Sequence, residues 1–284
     1  MNKWVLGTRP KTLPAAVAPV LVATALAGKE SELIPALLAF LVSVSLQVGV
    51  NYANDYSDGI RGTDANRVGP LRITAAGLAT PESVKRAAFL AFGVGACAGL
   101  ALAALTTWWL IAVGFVAILA AWGYTGGKNP YGYLGLGELF VFIFFGVVAT
   151  VGTYYVQTEE ISTDSLLISI SMGAFSCALL AINNIRDRAL DLPAGKKTLA
   201  VRMGDRPSRY FFLFLIVLGY LSSFALLQPW TLLTLATLPT SFTLVKGVLS
   251  NIQGRDLIPL LAKTGQLQLR YAILLTIALE LSHV

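Results

Sequence analysis

The stretch "NYANDYSDGIRGTD", residues 51–64, follows about twenty almost uninterrupted apolar residues and gathers two asparagines and three aspartates at one point. An apolar run of that length crosses a bilayer core of roughly 30 Å as a helix. The acids then mark the polar end of a membrane-crossing segment. Nine such runs can be placed, at approximately 13–28, 33–54, 84–105, 108–125, 136–156, 165–184, 210–227, 230–249 and 267–282. They are apolar all round instead of alternating, so helices and not barrel strands satisfy their backbone polar groups. The expected fold is an all-α integral membrane protein, with about nine transmembrane helices in one bundle and one polytopic domain over 1–284.

The composition agrees. Hydrophobic residues make up 56% of the chain and charged ones 13%, with a mean hydropathy of +0.70, far from the balance of a soluble domain. The first run lacks a convincing small-residue cleavage site and leads directly into the second, so it is expected to stay as a helix. All but Lys29 of the 21 Lys and Arg residues cluster at the N-terminal tail or around the connections after runs two, four, six and eight. By the positive-inside rule the N-terminus lies in the cytoplasm and, with an odd count, the C-terminus outside. The net charge of +6 is then topological, and no nucleic-acid partner is needed to explain it. Cys97 and Cys177 fall within apolar runs and read as inert thiols.

Polar character is concentrated on the cytoplasmic side, in the connections 55–83, 124–138, 185–209 and 250–266, and an active site is expected there. Two of these connections begin alike. Asn54 and Asp58 are four residues apart, as are Asn183 and Asp187, with Asp191 another four on. We read a weak internal repeat of two helical units, roughly 1–130 and 131–284. On a helical projection Asn51, Asn54, Asp55 and Asp58 share an arc of about 100°, and Asn183, Asn184, Asp187 and Asp191 share another of about 100°. Each helix presents an oxygen-rich stripe. Gly59 and Gly62 predict that the first helix has ended before Asp64.

A single acid at a helix end is usually a solvated charge. Clustered carboxylates at a hydrocarbon border are costly, however, and call for a cation or proton between them. Asn and Asp oxygens without supporting His or Cys suit a hard cation, and Mg²⁺ takes one or two carboxylates plus waters and substrate phosphates. The only histidine, His283, lies at the far terminus. Bases accompany the acids: Arg61, Arg67 and Arg72 after the first stripe, Lys128 in "YTGGKNPYG", and Arg186, Lys196, Lys197 and Arg202 around the second. Any one of them fits a topological role; cations interleaved with Mg²⁺-type carboxylates also fit a diphosphate. No G-x-x-x-x-G-K-[ST] cradle is present. A diphosphate that departs from an allylic isoprenoid explains why so oily a scaffold carries acids at one end, because its substrate is oily with a charged head.

"NDYSDGIRGTD" with "RVGPLR", "YTGGKNPYGYLGLGE" and "NNIRDRALDLPAGKKTLAVRMG" resemble the UbiA superfamily of intramembrane aromatic prenyltransferases, and within it the menaquinone-pathway branch that prenylates 1,4-dihydroxy-2-naphthoate. The resemblance runs from Arg9 to Gly204, about two-thirds of the chain; the last runs agree only in hydropathy. The family's first acidic motif maps onto Asn54, Asp55, Asp58 and Asp64. Its generic last Asp is here Gly62, a departure the naphthoate branch shares. The second motif maps onto Asp187 and Asp191. The resemblance implies that these residues bind Mg²⁺ and a polyprenyl diphosphate. It implies that Asp58, Asp187, Asp191 and Lys128 carry the catalysis, and that Lys128, Lys197 and Arg72, with Arg61, Arg67 and Lys196, neutralise the diphosphate. Asn51 and Asn183 stand beside them as substrate contacts. Tyr124 orients the acceptor, stabilises an allylic cation through its ring, or belongs to the interfacial aromatic belt. The implied reaction is C-prenylation of 1,4-dihydroxy-2-naphthoate with loss of carbon dioxide, giving demethylmenaquinone in its reduced, quinol form in the plasma (inner) membrane of a menaquinone-using prokaryote. Another acceptor such as 4-hydroxybenzoate or homogentisate is the nearest alternative. A cation-coupled transporter is remote, because its acids belong near the midplane and these lie at predicted membrane ends.

Overall fold

A computed structural model describes residues 2–63, 69, 71–250 and 252–283 of the chain, and the described residues hold helices and no strands. A backbone in hydrocarbon must satisfy its own polar groups, and the helix does so within one segment. After the short α1 (Lys3–Gly7), the chain runs through α2 (Pro14–Ala27), α3 (Leu33–Arg61), α4 (Pro81–Leu105) and α5 (Leu110–Gly123). It continues with α6 (Gly137–Val141), a π-helical turn Phe142–Val148, α7 (Ala149–Thr158), α8 (Thr163–Asp191), the short α9 (Leu199–Met203) and α10 (Asp205–Phe224). A 3₁₀ segment Pro229–Thr237, α11 (Leu238–Leu249) and α12 (Ile258–Ser282) complete it.

Helices occupy all nine expected positions, but they are not equal as spans. Six are long and apolar enough to cross a membrane: Leu33–Arg61, Pro81–Leu105, Gly137–Thr158, Thr163–Asp191, Asp205–Phe224 and Pro229–Leu249. A seventh arises if Lys3–Thr12 and Pro14–Glu30, bent by 55°, form one span. The bend has a local cause, since Arg9 takes φ 51° and ψ 68° immediately before Pro10, and a proline disfavours the right-handed helical region in the residue before it. α5 has only 14 residues, about 21 Å of helix. α12 is long, but Gln266, Gln268, Arg270 and Glu280 interrupt its apolar run. Hydropathy alone therefore fixes the number of spans loosely.

The acidic connections start later than hydropathy places them. α3 stays helical to Arg61 and is closed by Gly62 at φ 71°, whose N–H bonds back to Asp58 and Gly59, a left-handed cap that glycine adopts without strain. α8 stays helical to Asp191. Both are 29-residue helices, and both carry their stripe on regular helical backbone.

The packing centre is α8, with 78% of its apolar window buried against α2, α7, α10 and α12. Its small residues let neighbours approach closely, which is how helices associate where water supplies no drive. Where the π-helical turn meets α8, a Cβ on Gly146 would lie 2.7 Å from Gly173 Cα and 2.8 Å from the Ser169 carbonyl oxygen. Both neighbours are backbone, which cannot rotate away. Gly146→Ala is accordingly expected to cost about 1–3 kcal/mol, read as a lowered melting temperature in detergent; an unchanged melting temperature would mean that the helices separate there freely. Leu90, Phe115, Leu221 and Phe242 point outward, as lipid-facing side chains do.

Candidate active site

The two stripes meet over one cavity of about 540 Å³. Its polar mouth is lined by Asn51, Asn54 and Asp58 from α3 and by Asn183, Asn184, Arg186, Asp187 and Asp191 from α8. Tyr124, Thr125, Tyr131 and Tyr133 from the α5–α6 connection, together with Arg9, Arg72 and Lys196, close the ring. Below the mouth the lining turns apolar, through Val50, Leu46, Ala117, Phe144 and Val148 to Leu102, Val156 and Ala39. From Asp58 to Ala39 along α3 is on the order of 28 Å at 1.5 Å per residue. That length is close to the roughly 30 Å of a bilayer's hydrocarbon core.

Each acid at the mouth has a defined partner. Asp58 is buried; its Oδ1 accepts from the Tyr133 hydroxyl at 2.5 Å and its Oδ2 from Lys196 Nζ at 3.0 Å. Burial pulls the Lys196 pKa down, but Asp58, by charge and hydrogen bond, together with Tyr133 and Asp191, outweighs it and holds the ammonium above its ordinary value. Burial, and then the Asp58 charge, push the Tyr133 phenol up. Lys196 therefore stays charged and Tyr133 protonated at neutral pH. On α8, Arg186 grips Asp187 with two bonds, Nε to Oδ1 at 2.7 Å and Nη2 to Oδ2 at 2.6 Å. Arg186 Nη2 also donates to Asn183 Oδ1 at 2.8 Å. Asn54 Oδ1 accepts from Thr125 Oγ1 at 2.7 Å, which ties the "YTGG" loop to α3.

Of the expected site residues, Asn51, Asn54, Asp58, Arg72, Tyr124, Asn183, Asp187, Asp191 and Lys196 are brought together at the mouth. Others are placed differently. Both Asp55 oxygens accept backbone N–H groups, from Ile73 at 3.0 Å and Thr74 at 2.8 Å, and Asp55 lies outside the lining. It folds the 72–79 turn back onto α3, so in this structure its carboxylate does not join the stripe as the expected metal ligand. Arg61 donates to the Thr125 and Gly127 carbonyls, and its guanidinium holds a loop instead of facing the cavity. Lys128 and Lys197 are exposed and outside the lining; the Lys197 backbone N–H bonds to the Tyr133 carbonyl at 2.9 Å. Asp64 and Arg67 lie outside the described residues.

Of the ring at the mouth, Arg9, Thr125, Tyr131 and Tyr133 escaped the sequence reading. Behind it Glu138, in sequence an ordinary acid at a helix N-terminus, is buried and accepts from Asn184 Nδ2 at 2.9 Å. Only the tyrosines had a visible signal, as aromatics in a glycine-rich loop between two acidic motifs.

Among the described residues no three Asp, Glu, His or Cys side chains converge into a ready-made metal cage. The oxygens present (Asn54, Asp58, Asp187 and Asp191) instead suit an ion that takes one or two carboxylates and completes its shell with water and phosphate. Chemically, the arrangement joins a polar mouth that holds both carboxylates and cations to a long apolar groove.

The model of the UbiA prenyltransferase family matches residues 16–256. The chain is 47% identical to 1,4-dihydroxy-2-naphthoate octaprenyltransferase of Mycobacterium tuberculosis, over 99% of this chain and 98% of that one. It is 34% identical to the enzyme of the same description from Escherichia coli, over 99% and 96%. Among solved structures, a UbiA homologue from Archaeoglobus fulgidus bound to GPP and Mg²⁺ superposes with a TM-score of 0.68, covering 97% of this chain and 99% of that one at 14% identity, a likeness of fold. With three ordered motifs around one cavity and a family match over most of its length, the chain belongs to the UbiA prenyltransferase family.

Proposed function

We propose that the protein transfers a polyprenyl group from an allylic polyprenyl diphosphate to 1,4-dihydroxy-2-naphthoate, with release of carbon dioxide. The observation that carries this reading is the two-part cavity, in which acids and bases ring the mouth and an apolar groove descends through the membrane. That shape complements a molecule with a charged head and a long isoprenoid tail. The activity described for full-length relatives supports the acceptor.

Asn54, Asp58, Asp187 and Asp191 would hold Mg²⁺, and the homologue solved with that ion supports a divalent metal. Bound there, the ion would act as a Lewis acid on the diphosphate oxygens. Arg72, Arg186 and Lys196 face the same space and neutralise charge as the allylic C–O bond breaks and its electron pair leaves with the diphosphate. The ring carbon bearing the carboxylate attacks the allylic cation and forms the new C–C bond. The carboxylate then leaves as carbon dioxide, and the pair from its C–C bond restores the aromatic ring. Because carbon dioxide departs from that carbon in place of a proton, the lining needs no dedicated general base. The Tyr124 ring lines the same mouth and would stabilise the cation by its π face. With the mouth at the cytoplasmic face, as the distribution of Lys and Arg supports, both polar substrate ends arrive from the cytoplasm.

Purified membranes offered one polyprenyl diphosphate with 1,4-dihydroxy-2-naphthoate or 4-hydroxybenzoate, each with Mg²⁺ or excess EDTA, test this. Product from the naphthoate alone, lost in EDTA, is expected. Product from the benzoate would keep the mechanism and overturn the acceptor; product undiminished by EDTA would overturn the metal. Arg72→Ala removes a buried cation from the mouth, and a charge-assisted hydrogen bond is worth about 1.5–3 kcal/mol. The KM for the prenyl diphosphate should rise roughly tenfold or more, with little change in the KM for the naphthoate. An unchanged diphosphate KM would leave Arg72 a purely topological charge.

A further inference from the structure

Tyr133 has no role in the reaction as drawn, yet it touches an expected metal ligand and two cations at the mouth. Its hydroxyl lies 2.5 Å from Asp58 Oδ1. Two cations approach its ring, with Lys196 Nζ at 4.8 Å and Arg61 Cζ at 5.3 Å from the centroid. Arg61 is itself pinned by the carbonyls of Thr125 and Gly127. With its ring against this fixed guanidinium and its hydroxyl on Asp58, the phenol is held in place, so the carboxylate it touches cannot rotate without breaking that bond.

The second partner of Asp58 is of another kind. Lys196 reaches Oδ2 at 3.0 Å from a flexible four-carbon stem. Its segment turns through Gly195 at φ 75°, and its backbone N–H bonds to the Asp191 carbonyl at 2.9 Å. The ammonium can therefore leave Asp58 while its backbone stays anchored at the end of α8, still beside the cavity. A neutral O–H donor leaves the remaining lone pairs of a carboxylate available and fixes their direction. An ammonium occupies the place of any other cation. The two partners should thus act on metal binding with opposite signs.

Resting on the metal reading above, we propose that Tyr133 is a positioning residue that orients Asp58 toward the divalent ion. Lys196 is the resting counter-ion that the metal displaces from Asp58 and that then turns to the diphosphate. No covalent step is involved; one cation replaces another on the same oxygen.

The test is Mn²⁺ binding to the purified full-length protein in nanodiscs, followed by the electron paramagnetic resonance of free Mn²⁺, with no prenyl substrate present. Outer-shell partners of metal ligands typically account for 10–100-fold in affinity, so Tyr133→Phe should raise the Mn²⁺ Kd about tenfold or more. Lys196→Gln should lower it about tenfold, while Lys196→Arg, which keeps the charge, should not. Lys196→Met is a second neutral replacement should the glutamine variant aggregate. Tyr133→Phe keeps the ring and both of its cation contacts, so its fold is preserved and its result decides alone. A wild-type Kd in Tyr133→Phe, or no tightening in either neutral variant at 196, overturns the proposal. A merely structural Lys196–Asp58 tie would weaken binding when cut, the opposite sign. If Asp58→Asn abolishes Mn²⁺ binding while Tyr133→Phe leaves it untouched, only this inference falls. If the wild type shows no saturable binding, the metal reading falls and takes the inference with it.

Discussion

Asp58→Asn is expected to lower prenyl transfer about 1,000-fold while the protein still inserts and folds. The substitution keeps the shape of the side chain and one oxygen for hydrogen bonding, but removes the charge that a metal or a diphosphate-neutralising network requires. Lewis-acid stabilisation of a leaving group is worth several kcal/mol, and each 1.36 kcal/mol is a factor of ten in rate. Asparagine is the informative replacement. Alanine would also strand the buried Lys196 ammonium, and breaking a buried pair costs about 3–5 kcal/mol, so instability would be mixed with lost chemistry. Initial rates at saturating Mg²⁺ and diphosphate, with chromatographic homogeneity in detergent as the control for folding, decide the matter. Turnover within a few-fold of the wild type would remove Asp58 from the site.

Asp187→Asn is expected to cut transfer by a similar factor of about 1,000 and to destabilise the protein measurably. The cause of the destabilisation is Arg186. Its guanidinium makes a two-pronged contact with Asp187, with side-chain exposures of 1% and 9%. Asparagine offers one acceptor where the guanidinium needs two, and a weakened charged hydrogen bond costs about 1–3 kcal/mol. Asp187→Asn should therefore melt lower than the wild type, and so should Asp58→Asn, whose two oxygens serve Tyr133 and Lys196. A wild-type melting temperature at 187 would contradict the buried pairing, and near-normal turnover there would refute the second half of the metal assignment.

Much of this architecture was legible because hydrocarbon imposes few solutions. Long apolar runs have to be helices, and charges that crowd a membrane border need partners. The two stripes lie on helices α3 and α8 as their four-residue spacing predicts. What periodicity cannot report is which chain returns to meet a given face. Asp55 lies at one edge of its stripe and Asn54 at the other; the 72–79 turn comes back to the first edge, and the cavity opens at the second. The cations were harder for the same reason. Lys128, Lys197 and Lys196 look alike in sequence, and Lys128 follows a positive-φ glycine as Lys196 does, but only Lys196 reaches Asp58. Tyr133 was passed over despite its glycine-rich loop, because a tyrosine near a membrane border is ordinarily an interfacial anchor. The number of spans stayed loose where hydropathy is diluted, by brevity in α5 and by polar residues in α12.

The apolar floor of the cavity sits inside a medium that is itself hydrocarbon. An isoprenoid sliding from among acyl chains onto leucine, valine and phenylalanine sheds almost no water, so the transfer that glues oily ligands to soluble proteins has little to work with here. The tail is housed without being gripped, and the tether is the head. Cleavage of the diphosphate cuts that tether at the moment of reaction. The enlarged, uncharged product then has no reason to prefer the groove over the surrounding lipid. Chemistry and release thus become one event, and the protein clears itself by diffusion, with no ejecting device required.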